Sequence, residues 1–320
     1  MQRFILRRLL YAIPTLLGIS IITFLIAHLS PGDPIRLYTF GDPNVTPEDI
    51  ERLRERLGLN KPLPLQYVDW LSRVLQGNFG ESIIYRGQSA TALIAARIPA
   101  SLQLATVALT MSLVIGVPLG VIAALNRGGK IDQFTRVFST VGFAVPAFWL
   151  GFILIIVLSV HLRWLPSQGM LTIGKDQWDI LDRMKHMLMP AFVLALGGIA
   201  NYSRIMRTET LEVINQDYIR TARAKGLFEQ TVIAVHAVRN ALIPMVTALG
   251  GILAALIGGA LIIEQVFTWP GVGQFTYQAV IAKDYPVVMA GVMVSSVLLV
   301  ASYLIRDLVY SLVDPRVKAG

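Results

Sequence analysis

The sequence predicts an all-α integral membrane protein of six transmembrane helices, with a small helical segment outside the bilayer after the first span. Three observations carry this. Six apolar stretches are long enough to cross a bilayer. Only 15% of residues are charged, against about 25% in a soluble chain. The net charge of +8 falls on one side of the alternation those stretches create.

A crossing helix needs ~20 mostly apolar residues, because hydrocarbon offers the backbone no hydrogen-bond partners. Counting residues free of Asp, Glu, Lys and Arg gives 9–32, 98–126, 137–162, 186–203, 240–263 and 285–305. The fourth is the shortest, with His186 and Pro190 at its start, and is expected to borrow residues at its inner end. Pro118 and Pro146 fall within the second and third, where kinks are tolerated if neighbouring helices satisfy the freed carbonyls. A seventh uncharged stretch, 265–282, contains Gln265, Pro270, Gly271, Gly273, Gln274 and Gln278 and is too polar and broken to span. The first stretch is too long for the apolar core of a signal peptide and has no A-x-A-like cleavage site, which predicts a retained helix.

Orientation follows the Lys/Arg bias. With the N-terminus inside, the cytoplasmic segments carry fourteen basic and six acidic residues, and the external ones thirteen of each. Both termini are then cytoplasmic.

Two polar segments have internal order. In the external segment 31–97, Thr46-Pro47-Glu48-Asp49 supplies an N-cap, a proline at N1 and a capping-box-like carboxylate, followed by Ile50, Leu53 and Leu57 at helical spacing and Gly58 as a stop. A second amphipathic helix is expected from about 65 to 75, with Tyr67, Leu71 and Val74 on one face and Gly77 beyond it. This segment reads equally as a cap over the bundle and as a docking surface for a soluble delivery protein. In the cytoplasmic segment 204–239, Gly226 breaks two short helical runs into a bracket, the shape of a partner socket.

Other chemistry is absent from the motifs. Gly169 to Asp176 resembles a phosphate loop, but Asp176 replaces the hydroxyl residue that would reach Mg²⁺. The four histidines are not at metal-ligand spacing, and cysteine is absent. No Lys/Arg run is interleaved with aromatics, which argues against nucleic acid. Gly116-x3-Gly120 reads as close helix packing. No span carries an ionisable residue near its centre, whereas ion-coupled carriers keep such groups at mid-membrane. Energy for uphill transport would therefore enter from outside the bilayer. Thr23, Thr247, Ser295 and Ser296 are candidates to line a path, although such residues more often pack helices.

At the bracket the sequence becomes familiar. Asp217 to Leu227 (DYIRTARAKGL), then His236-Ala237-Val238-Arg239-Asn240-Ala241 and Pro244, resembles the EAA loop of binding-protein-dependent ABC permeases, in the form used by the dipeptide/oligopeptide/nickel branch. Arg220, Thr221 and Ala222 occupy the E-A-A positions and Gly226 the glycine, so the general pattern is matched less well than the branch's own. The resemblance extends through Phe4-Ile5-Leu6-Arg7-Arg8-Leu9, Pro31-Gly32-Asp33-Pro34, Leu57-Gly58-Leu59, Trp70-Leu71, Glu264, Phe267, Trp269-Pro270-Gly271, Gly273, Asp284-Tyr285-Pro286 and Asp314-Pro315-Arg316. The long N-terminal external segment resembles the first of the branch's two permease types.

The resemblance implies a type I ABC importer permease fold divided into an N-terminal tail and first helix (1–32), an external helical segment (33–97), a transmembrane domain (98–312) and a cytoplasmic tail (313–320). It implies a pore subunit of an importer for peptides or similar small solutes in a bacterial or archaeal plasma membrane. Its partners would be a second homologous permease, two ABC ATPases that hold the ATP and Mg²⁺, an external solute-binding protein and the lipid bilayer. The chain itself would bind no cofactor and catalyse nothing. The ATPase-coupling residues would be Arg220, Thr221, Ala222, Arg223, Ala224, Lys225, Gly226, Leu227, Phe228 and Glu229. Arg223 and Lys225 would pair with the partner, Ala222 and Ala224 would permit close approach, and Phe228 would anchor the contact. A six-span secondary carrier or channel, with the bracket only a topology signal, is the rival reading.

Overall fold

The structure is a computed structural model that describes residues 2–29, 46–56, 60–176, 178–242, 245 and 260–313. The described residues are helical almost throughout. They form α1 (Gln2–Leu29), α2 (Pro47–Arg56), α3 (Leu63–Leu75), α4 (Ala90–Ala95), α5 (Ile98–Leu125), α6 (Lys130–Ala144), α7 (Ala147–Leu154), α8 (Ile180–Ile214), α9 (Asp217–Ala224), α10 (Glu229–Thr231), α11 (Val272–Ile281) and α12 (Tyr285–Val313). α7 continues as wider, π-helical turns over Ile155–His161, and α10 does so over Val232–Val238. The bundle end carrying α3 and α11 is termed outer, and the end carrying α9 inner.

Four helices are individually long and apolar enough to cross a bilayer, counted from Leu6–Leu29, Ala90–Leu125, Ile180–Ile214 and Tyr285–Leu308. The first, second, fourth and sixth predicted spans lie on them. The fifth, 240–263, falls largely outside the described residues, as does Gly58. The third is not one straight span: Lys130–Ala144 and Ala147–His161 meet at 103°. Pro146 is the physical reason. It has no N–H to continue the ladder and drives Val145 into extended backbone (φ −79°, ψ 121°). Pro14, Pro118 and Pro190 remain inside continuous helices.

α5 and α8 form the centre of the bundle. Lipid offers helices no hydrophobic drive to associate, so close van der Waals contact and interhelical hydrogen bonds hold them. Gly116 and Gly120 supply the close approach. A Cβ on Gly116 would sit 2.9 Å from the Ile199 carbonyl oxygen, and one on Gly120 would sit 2.4 Å from that of Ser203. Ser112 Oγ donates across the contact to the Ala195 carbonyl at 3.1 Å. The expected role of Gly116-x3-Gly120 is therefore the observed one.

At the outer end α3 lies on α1 and α12. Trp70 is buried with Phe24, Met289 and Met293, and Tyr67, Leu71 and Val74 pack around them. Tyr67 and Ser20 share a 2.8 Å hydrogen bond. α3 begins two residues before the expected start because Pro64 suits the first helical turn. At the inner end Arg8 of α1 pairs with Asp307 of α12 at 3.2 Å. The stretch 265–282 does not span: Gln265 and Val266 end a helix that begins before it, and after the Trp269 turn only α11 follows.

Candidate functional site

The bracket grows out of the inner end of α8. α8 is a single helix of 35 residues, ~50 Å long at 1.5 Å per residue. Its first turn is capped at the outer end by Asp179, whose carboxylate accepts from the Asp182 N–H at 3.0 Å. Its last turn ends at Asn215, and α9 turns back immediately.

α9 ends in a Schellman motif. The Gly226 N–H donates to the Arg223 carbonyl at 2.9 Å and the Leu227 N–H to that of Ala222 at 3.4 Å. Gly226 sits at φ +76°, where a Cβ is strained and glycine is not. This sharp stop aims the chain outward, so that Phe228 is 84% exposed and Leu227 42%. Behind the tip, Ile219 and Ala222 are buried against Val232 and Ala237, with Val213 and Ile214 beside them. The bracket is thus a small packed unit that presents an apolar tip.

The ten predicted coupling residues divide accordingly. Arg220, Thr221, Arg223, Ala224, Lys225, Gly226, Leu227, Phe228 and Glu229 are exposed on one continuous turn. Ala222 is turned inward and holds the bracket together, in contrast to its expected place at the outer surface. Arg223 is also differently engaged. Its Nη2 donates to Glu229 Oε1 at 2.6 Å and its Nε to Oε2 at 3.1 Å, so the guanidinium clamps the two sides of the Gly226 turn. That hydrogen bonding holds the Glu229 carboxyl below its ordinary value of 4.5 and raises the Arg223 guanidinium. Lys225 and Phe228 remain directed away from the bracket's own core.

Two buried carboxylates fix the helices around this rod: Asp132, which the sequence offered only as a topology charge, and Glu264, which it offered only as part of the resemblance. Asp132, 1% exposed, accepts both Nε and Nη2 of Arg207, the latter at 2.9 Å, and the Gly128 N–H at 2.9 Å. In the sequence both residues counted only as topology charges. At the outer end Glu264 is fully buried and accepts from Ser101 Oγ at 2.6 Å and from the Gln274 N–H at 2.9 Å. Trp269 Nε1 donates to the Ala100 carbonyl at 2.9 Å, and a Cβ on Gly271 would collide with the Glu264 carboxylate at 2.2 Å. The Trp269-Pro270-Gly271 turn is therefore wrapped around Glu264. A cavity of about 250 Å³ lies beside it, lined by Ser101, Thr276, Ser295 and Ser296 among others. Of the four hydroxyl residues proposed to line a path, Ser295 and Ser296 face this cavity, Thr23 is buried on α1, and Thr247 lies outside the described residues.

Residues 116–319 match the family described as the binding-protein-dependent transport system inner membrane component, and residues 1–105 match its N-terminal membrane component. The chain is 44% identical to the oligopeptide transport system permease protein AppB of Bacillus subtilis (strain 168), over 99% of this chain and 100% of that protein. It is 38% identical to the di/tripeptide transport system permease protein DppB of Pseudomonas aeruginosa (strain UCBPP-PA14), covering 99% of each. A similar fold occurs in a structure of the MetNI methionine ABC transporter in inward-facing conformations, with a TM-score of 0.54 at 19% identity, covering 69% of this chain and 96% of that one.

Proposed function

We propose, from the premise that the chain belongs to the inner membrane component family of binding-protein-dependent transport systems, that it is a pore-forming permease subunit of an ATP-driven importer for peptides or similar small solutes. Its relatives named as oligopeptide and di/tripeptide permeases support that solute class. The chain spans the membrane several times, with both termini on the cytoplasmic side. It works beside a second, homologous permease, receives solute from a binding protein, and is driven by two ATPase subunits that hold the ATP and Mg²⁺. The chain divides into an N-terminal part and a transport domain near residue 98, where α5 begins.

The observation that carries the coupling role is the exposed Leu227–Phe228 tip, set outward by the Gly226 stop and braced by Arg223 and Glu229. A large aromatic held outside its own core is the anchor a small interface needs. Residues 220–229 are the surface that docks into an ATPase, except that Ala222 supports it from behind. Force applied there reaches α8 within a few residues. α8 then carries it to α6 through Arg207 and Asp132, and across the bundle to the outer loop that His186 holds through the Gln168 carbonyl at 2.9 Å.

Gly226→Val and Phe228→Ala test this. Each subunit should insert as the parent does, while solute-stimulated ATP hydrolysis and uptake fall at least tenfold, the effect of ~1.4 kcal/mol lost from the coupled state, or the ATPases dissociate on purification. Normal assembly with parental transport rates in both variants would remove the bracket as the coupling element.

A further inference from the structure

The loop between α7 and α8, residues 163–179, enters the coupling mechanism only through the Gln168 carbonyl, yet it carries the most exposed large apolar side chain of the described residues. Ile173 is 102% exposed, Trp178 83% and Trp164 69%. Ile180, Leu181 and Met184 continue the surface along the first turns of α8.

This exposure does not come from a loose chain. The Gly169 N–H donates to the Phe267 carbonyl at 2.9 Å, and His186 Nδ1 lies 2.9 Å from the Gln168 carbonyl. Thr172 donates its N–H and its hydroxyl to the two oxygens of Asp182, at 2.7 and 2.8 Å. Leu165 and Met170 pack inward. A loop pinned at four points with two apolar side chains inside presents Trp164, Ile173 and Trp178 outward by construction.

Its charges offer little to a charged partner. Arg163, Lys175, Arg183 and Lys185 stand against Asp176, Asp179 and Asp182, a net of +1, and Lys175 is spent on Asp179 at 2.9 Å. What remains is an apolar rim with two indoles, continuous with the helices that enter the membrane on either side: Trp164 lies three residues past His161, and Trp178 two residues before Ile180. Tryptophan at such a boundary places its ring among lipid headgroups and its N–H in the wet layer.

We infer that this loop is an interfacial anchor, with Trp164, Ile173 and Trp178 seated in the headgroup region of the adjacent phospholipid leaflet. The anchor would fix the outer end of the α8 rod at a set depth, so that displacement of its inner end tilts the helix. This goes beyond the transport assignment and does not depend on the solute.

The chain has no cysteine, so single cysteines at Ile173 and Trp178 can be spin-labelled in the complete transporter, assembled with cysteine-free partners in vesicles of phosphatidylcholine and phosphatidylglycerol. Gln88, exposed in a tight turn at the same end, serves as the aqueous reference. Complexes that retain uptake keep this test separate from the transport reading. Labels at 173 and 178 should gain collisions with oxygen and lose collisions with a water-soluble nickel chelate relative to 88. Nickel access equal to that at 88 would mean a water-facing loop and overturn the inference. Low access to both reagents, with or without added binding protein, would mean a protein-covered surface and overturn it equally.

Discussion

Arg207 of α8 and Asp132 of α6 form a bidentate ion pair, its carboxylate buried and its guanidinium half-buried, at the inner end of the bundle, two helical turns from the end of α8 that leads into the bracket. Arg136 adds a longer contact at 3.7 Å, and the Gly128 N–H completes the carboxylate's partners. The pair joins the helix that ends in the coupling bracket to the helix that opens the broken third span.

Removing one member of such a pair strands the other charge, at a cost of ~3–5 kcal/mol. Asp132→Ala should therefore lower the thermal unfolding midpoint of the assembled transporter markedly. Arg207→Lys should cost less but still lose the bidentate geometry. The exchange Asp132→Arg with Arg207→Asp should recover part of the loss. If Asp132→Ala unfolds at the parental temperature, the pair is not a structural link.

Packing between α5 and α8 makes a graded prediction. Gly120→Ala places a methyl 2.4 Å from the Ser203 carbonyl and 2.7 Å from Met206 Cβ, whereas Gly116→Ala meets its neighbours at 2.9 Å and beyond. Overpacking of this kind costs ~1–3 kcal/mol. Resistance to detergent-induced unfolding should fall in the order parent, Gly116→Ala, Gly120→Ala. Gly197→Ala on α8 has open space around its Cβ and should leave resistance unchanged. An equal response at all three positions would remove the close-approach argument.

The Arg223–Glu229 clamp should depend on pH in one direction. Glu229 is held below its ordinary value of 4.5, so it binds fewer protons in the folded bracket than in the unfolded chain. Its contribution is present above that value and is lost as pH falls through the lower folded value. Arg223 stays charged throughout. A nitroxide on a cysteine at Leu227 should gain mobility as the solution is acidified below 4.5, and Glu229→Gln should be mobile at neutral pH with no further response. A parent signal that is flat through this range would mean that the clamp does not order the turn.

Orientation is open to direct labelling. Single cysteines at Gln2, Gly129, Glu229 and Ala319 should react with a membrane-impermeant maleimide only after the cells are broken, while those at Arg54 and Lys175 should react on intact cells. Labelling of Glu229 from outside would invert the topology and end the coupling proposal with it.

The sequence alone determined four long apolar helices and where the bracket stops. These are local matters: runs of apolar residues, proline and glycine at set positions, and the charge balance of each polar segment act within a few residues of chain. Gly116-x3-Gly120 and Gly226 were legible for that reason, since a missing Cβ has one physical use at a helix crossing and another at a left-handed stop. The tertiary structure decided which polar groups meet. Asp132 finds Arg207 from 75 residues away and Glu264 finds Ser101 from 163. No periodicity encodes such pairings, because they depend on which helices become neighbours. It also decided that Ala222 faces inward and that Arg223 is spent on Glu229, because a short loop beside a membrane buries what small apolar surface it can and pairs its charges locally. Pro146 lies between the two cases. Its presence allowed a kink in the third span, as Pro118 did in the second, but only the tertiary structure turned it into a 103° break.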